Sequence, residues 1–313
     1  MRYRSFYQAA DLFWPRRWKA RWRWLWGAIA AGTVLVTALP LSAEDWIPVR
    51  AGIHHGISGM AVLEHTPETL SLLVVHDNKG DAKEPRLAVI RLGDRPQYTP
   101  LPWPDTVQPV DLEALTPIPG LPTPGFMALS SQGEVYHLEV SAQQDVRLRR
   151  VFRLPSVARG ANFEGLSLQV FGNRLWMFWG DRGQDDRLAT LHWGELDPAT
   201  YTLQRQNSTQ IQVPWPTNDV RHLSDLRVDS GGVVYLSAAM DQGNDGPFAS
   251  AVYIIGTMQL SAYNLQFNLI DQLVPLYRSE HHKIEALELL PGPEGGILLG
   301  TDDENFGGWL RQP

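Results

Sequence analysis

The chain has no cysteine among its 313 residues, which excludes disulfides, thiol nucleophiles and cysteine-ligated zinc or iron–sulfur centres. Stability must come from packing alone. Helical patterning is scarce as well: beyond the first 43 residues no stretch carries three turns of amphipathic periodicity. No low-complexity or Gly/Ser linker interrupts the chain, although 27 Gly and 23 Pro punctuate it, so one large globular unit with many turns is expected. A basic surplus is also missing. The net charge is −7, and residues 1–43 hold seven Lys/Arg against the single acid Asp11, which leaves the remainder at −13. Such an acidic body is a poor partner for nucleic acid.

The first 43 residues read as a targeting segment. Arg16, Arg17, Lys19, Arg21 and Arg23 precede an apolar stretch from Leu25 to Leu41, which ends at Leu41-Ser42-Ala43, a small-residue cleavage pattern. The competing reading is an uncleaved anchor, because Leu25 to Ala43 is about long enough to cross a bilayer. In either case residues 44–313 are expected outside the cytosol as one domain, periplasmic, lumenal or secreted, touching membrane only through an uncleaved leader. A monomer is expected.

What the chain does have is a repeat. Ile57-Ser58-Gly59-Met60, Leu112-Glu113-Ala114-Leu115, Phe163-Glu164-Gly165-Leu166, Leu223-Ser224-Asp225-Leu226 and Ile284-Glu285-Ala286-Leu287 share one pattern, with second positions 55, 51, 60 and 61 residues apart. A second polar residue follows 17 positions later at Ser130, Asp181, Asp241 and Asp302, and 19 later at Asp77. A turn signal lies midway in each copy, as at Gly172-Asn173 and Gly231-Gly232, so each unit reads as a β-hairpin. Further strands between the hairpins, such as Leu87 to Leu92 and Val135 to Val140, bring each repeat to about four strands, the content of a propeller blade. The expected fold is an all-β, five-bladed β-propeller. Its short last repeat would be completed by Trp46 to Arg50, since closing the ring removes exposed edges. Trp176, Trp179 and Trp193 are expected to pack between blades, with a carbohydrate platform as the lesser alternative.

In a propeller the first strand of each blade lines the central channel, so the repeated acids converge there. Glu113, Glu164, Glu285, Asp225 and the hairpin partner Asp302 are candidate ligands for a hard cation, with Ca²⁺ favoured by an all-oxygen set. The alternative is that strand-start acids only fasten neighbouring blades, and both readings stay open. Basic residues crowd upstream of the anchors, including Arg221 and His282. Together with Asp181 these are candidate catalytic groups for a small anionic ester attacked by metal-activated water.

Phe163-Glu164-Gly165-Leu166-Ser167-Leu168, supported by Asp111-Leu112-Glu113-Ala114-Leu115 and Gly300-Thr301-Asp302-Asp303, resembles the phytase-like secreted propellers labelled for esterase-like activity. The pattern is more distantly similar to gluconolactonases and paraoxonases. That resemblance implies a channel calcium with Glu164 as first ligand, although Ala114, Ala286, Ser58 and Ser224 depart from the Glu-Gly pattern. Two functions follow: an extracytoplasmic, metal-dependent ester or phosphoester hydrolase, or a non-catalytic propeller that binds a protein or cell-envelope ligand.

Overall fold

The computed structural model describes residues 46–313 except 81, 82, 122, 156, 293 and 294. The leader and its cleavage or anchoring lie outside the described residues. The five sheets of the fold follow the chain in order. Strand β1 (Trp46–Arg50) comes first but belongs to the last blade. The first blade is β2 (Gly59–His65), β3 (Leu70–Val75), β4 (Leu87–Leu92) and β5 (Gln97–Leu101). The second is β6 (Leu112–Pro117), β7 (Gly125–Ser130), β8 (Glu134–Val140) and β9 (Val146–Arg153). The third is β10 (Phe163–Phe171), β11 (Arg174–Asp181), β12 (Ala189–Asp197) and β13 (Thr202–Ile211). The fourth is β14 (Val220–Val228), β15 (Val233–Met240), β16 (Ser250–Ser261) and β17 (Asn264–Leu269), with β18 (Pro275–Ser279) also paired to β16. The fifth is β19 (Ile284–Leu289), β20 (Ile297–Thr301) and β21 (Gly308–Arg311), closed by β1 on its outer edge.

The five-bladed propeller and its latch are therefore as expected. Trp46 pairs with Arg311 and Ile47 with Leu310, so the ring has no open junction between its first and last strands. The core is divided into five apolar clusters, one per seam between neighbouring blades. Leu73 and Leu115 meet in the first, Leu129, Leu166 and Trp179 in the second, and Trp176, Trp193, Leu223 and Tyr253 in the third. Ile284, Leu287 and Val252 pack with Trp46 in the fourth, and Ile57, Met60, Ala286 and Leu310 in the last. Each fully buried Leu, Ile or Phe in these seams contributes roughly 1.5–3 kcal/mol. The three tryptophans pack between blades.

Close seams explain the small residue after four of the five anchors. A Cβ on Gly165 would lie 2.8 Å from Leu226 Cδ2, and one on Gly180 would lie 2.4 Å from Leu223 Cδ1, so only glycine lets β14 reach the third blade. The anchor glutamates sit at β-bulges. The pairing steps from Leu112 with Ser130 to Ala114 with Leu129, from Phe163 with Asp181 to Gly165 with Gly180, and from Ile284 with Thr301 to Ala286 with Gly300. Glu113, Glu164 and Glu285 are the extra residues, which re-aims each of them. In the fifth blade Thr301, and not Asp302, stands opposite the strand start. The one-residue slip comes from its shorter hairpin, and Asp302 lies just past the end of β20.

Candidate active site at the channel mouth

The fourth blade breaks the pattern of the second, third and fifth. Its bulge is wide, with Arg221 opposite Ala239 and the next pair only at Asp225 with Ser237. The extra chain carries the Arg221 guanidinium among the anchors of its neighbours. It donates to Glu285 Oε1 at 2.8 Å, lies 3.5 Å from Glu164 Oε1, and bonds Asp241 Oδ2. Arg182, from the end of the third blade's hairpin, donates to the same Glu164 oxygen at 2.9 Å, while Glu164 Oε2 is buried without a partner among the described residues. Lys283 lies 3.3 Å from Glu285 and also bonds Glu304. On the opposite wall Lys79 holds Asp111 at 2.9 Å and lies 3.8 Å from Asp77.

These groups surround a cavity of about 390 Å³ whose walls include Asp77, Glu113, Arg221, Asp241, Lys283 and Glu285. Carboxylates outnumber cations there, and each of the four cations Lys79, Arg182, Arg221 and Lys283 already faces an acid. Glu113 has no ion-pair partner within reach among the described residues and is 8% exposed. Burial pushes its carboxyl well above the usual range, and the neighbouring charges of Glu164, Asp111, Asp77 and Glu285 push it further. Burial likewise raises Glu285 to about 7, outweighing Lys283 and Arg221. Asp241 moves the other way. Its partial burial raises it, but the Arg221 guanidinium outweighs that and leaves the carboxyl below the usual value. A carboxyl raised from the usual range and one lowered below it thus share one cavity, on the non-adjacent second and fourth blades.

The structure brings Glu113, Glu285 and Arg221 of the candidate residues to the cavity wall, with Glu164 bonded directly behind it. Asp302 stands beside the cavity, buried against Gly56, where a Cβ would lie 2.0 Å from Asp302 Oδ1. Asp181 is not on the wall. It accepts from Asn162 N at 3.2 Å and from Arg187 at 2.6 Å and so ties the entry of β10. His282 is also elsewhere, bonded through Nδ1 to Asp303.

Asp225 requires correction as a channel ligand. It occupies the position after the anchor, where strand alternation turns the side chain away from the mouth. There it accepts Leu287 N at 2.8 Å, Leu226 N at 2.7 Å and Arg227 Nη1 at 3.1 Å, fastening the fourth blade to the fifth. Arg227 itself fills the channel below the mouth. Its guanidinium donates to the carbonyl oxygens of Met60, Leu115, Leu166 and Leu226, at 2.6, 2.7, 3.0 and 2.7 Å. These are the last residues of the repeated quartet in four blades, and Glu288 of the fifth lies 3.8 Å from Arg227 Nε. Fastening and site-building are thus separate layers of the same repeat.

Sequence reasoning missed Arg227, Arg182, Lys79 and the role of Asp241. Only Asp241 left a signal, as the hairpin partner of the fourth copy.

No family model matches the chain, and no curated protein is similar to it in sequence. Solved structures do share its fold. A glycoside hydrolase matches with a TM-score of 0.51 at 11% identity over 84% of this chain, which spans 62% of that protein's length. An alpha-L-arabinofuranosidase from Podospora anserina, solved in complex with cellotriose, matches with a TM-score of 0.50 at 8% identity, covering 85% of this chain and 96% of the other. An endo-arabinanase from Bacillus licheniformis aligns at 12% identity and a TM-score of 0.48 over 85% of this chain and 96% of its own. At these identities the likeness is one of fold: an all-β propeller of the kind that glycoside hydrolases use.

Proposed function

We propose that the protein is an extracytoplasmic hydrolase working at the channel mouth, with Glu113 protonating the leaving group and Asp241 accepting a proton from the attacking water. One observation carries this reading: two carboxylates on one cavity wall are driven in opposite directions by their surroundings, as a general acid and a general base require. Arg221 orients the base through its bond to Asp241 and ties it to Glu164 and Glu285. Because every cation at the mouth is already spent on a carboxylate, the cavity favours a neutral, hydroxyl-rich substrate over the small anionic ester expected from the basic residues upstream of the anchors. The likeness in fold to glycoside hydrolases supports a glycosidic bond as the target, and the basic-then-apolar leader supports export.

The test is a panel of aryl glycosides, lactones, aryl esters and phosphoesters assayed with the wild type, Glu113→Gln and Asp241→Asn. Turnover of a glycoside that falls by about 10²–10⁴-fold in each variant, with the thermal midpoint kept, is expected. Glycoside turnover that survives both substitutions would sink the assignment. No turnover across the whole panel would favour the non-catalytic propeller with a protein or envelope ligand.

A second reading rests on Asp77, Asp111 and Glu113, which each offer an oxygen within 4.8 Å of the others. An all-oxygen trio suits Ca²⁺, and such an ion would lower the negative charge enough to admit the anionic esters or phosphoesters of phytase-like propellers. Lys79 already supplies a positive charge to Asp111, so calcium would have to displace it. Chelator-treated protein that takes up no calcium and keeps its melting temperature when calcium is added would remove this reading.

A further inference from the structure

We propose that the rim between the fourth and fifth blades carries a second ligand site, a slot for a neutral hydroxyaryl compound whose hydroxyl donates to His282 while Phe248, Phe306 and Trp309 hold the ring. The slot is a separate cavity of about 290 Å³ and shares none of its wall residues with the channel mouth. Its polar anchor is set by Asp303. This buried carboxylate accepts Lys283 N through Oδ1 at 2.7 Å, which fixes its plane, and faces His282 Nδ1 through Oδ2 at 2.5 Å. In the neutral imidazole a carboxylate held there assigns the proton to Nδ1, leaving Nε2 as the hydrogen-bond acceptor. The imidazole is also clamped, with the Trp46 ring 4.5 Å away and the Trp309 ring 5.4 Å away. The ring's side-chain hydrogen bond is made through Nδ1 alone among the described residues, and His282 lines the slot.

The remaining wall is apolar and aromatic. Phe248 and Phe306 meet edge to face at 6.3 Å and 82°, with Pro247 beside them. Phe306 is 54% exposed, an aromatic ring left at the rim where a flat ligand would cover it. Asp245 and Glu280 border the slot, so carboxylates and phosphates are disfavoured and a neutral ligand is selected. Volume limits that ligand to roughly one ring with a small substituent. The combination of one oriented acceptor in an aromatic wall matches the phenol group better than an aliphatic alcohol, which offers no face to stack.

Titration of the full chain with phenol, followed by calorimetry or ligand-observed NMR, tests this. Saturable binding with a Kd on the order of 1 mM is expected for so small a ligand. Toluene, which has the ring without the donor, should bind about tenfold more weakly, and Phe306→Ala should weaken phenol by about tenfold without moving the thermal midpoint. Turnover at the channel should not respond to Phe306→Ala, which separates failure here from failure of the channel assignment. Equal binding of toluene and phenol, undiminished binding in Phe306→Ala, or no saturation would each overturn the proposal.

Discussion

Arg221 and Arg227 stand on the same strand, yet one meets side chains and the other meets backbone. Arg227 is bonded to carbonyl oxygens from four blades, groups that every sequence supplies, and it neighbours the buried acids Asp225 and Glu288. Arg221 is bonded to the carboxylates of Glu285 and Asp241 and pairs with Glu164 at 3.5 Å, the three contributed by three blades, at the wall of a solvent cavity. Inward-facing charge in a propeller therefore has two uses. Where it satisfies main-chain acceptors it is a rivet, and where it organises other ionisable groups around open space it builds a site.

Removing each arginine should separate the two roles. Arg227→Met leaves carbonyls from four blades unpaired and two buried acids without their cation, so a loss of about 3–5 kcal/mol or more in urea unfolding is expected. A loss under about 1 kcal/mol would show that the rivet is dispensable. Arg221→Met should cost less, about 1–3 kcal/mol, because Arg182 still pairs with Glu164 and Lys283 with Glu285. Its larger effect is on turnover, and a variant that keeps full activity would erase the distinction drawn here. Glu113→Gln removes a carboxyl whose charged form burial and the neighbouring acids disfavour, so its melting temperature should hold or rise even as activity falls.

The smallest effect is on pH dependence. Glu285 and Asp225 both have folded values raised to about 7 by burial, so the folded state binds more protons than the unfolded one above the unfolded carboxylate range. Stability therefore declines as pH rises from about 4 to beyond 7. His76 opposes this at the acid end, since burial lowers it from 6.5 to about 4 and its contribution is lost as pH falls through that interval. His55, His137 and His192 are lowered by burial as well, but above 6.5 the unfolded imidazoles lose their protons too and the raised carboxyls outweigh them, so thermal midpoints should drop between pH 6.5 and about 8, and Glu285→Gln should flatten the drop. A midpoint that climbs over that range would contradict the burial assigned to these acids.

Blade number and latch were legible because hairpin turns and alternating apolar strands are local signals that recur. The convergence of Glu113, Glu164 and Glu285 was legible for the same reason. The wide bulge of the fourth blade was not, because the unpaired residues His222, Leu223 and Ser224 change the pairing without changing the spacing of Leu223 and Leu226. Asp225 was misplaced by that alternation and Asp302 by a hairpin one residue shorter. Arg227 was invisible for another reason: its partners are carbonyl oxygens, which carry no residue identity. Asp241 was found as a repeated position, but its chemistry depends on Arg221, which only three-dimensional pairing reveals.

The pairing of β1 with β21 also sets an order in time. The strand that carries Trp46 is the first of the propeller to be synthesised, and its partner around Leu310 is the last. Until the final residues emerge, Trp46 has no sheet to join and the fifth blade has no outer edge. Premature termination would therefore leave two sticky strands at once, one at each end, so that an incomplete chain advertises its own defect to proteases and chaperones.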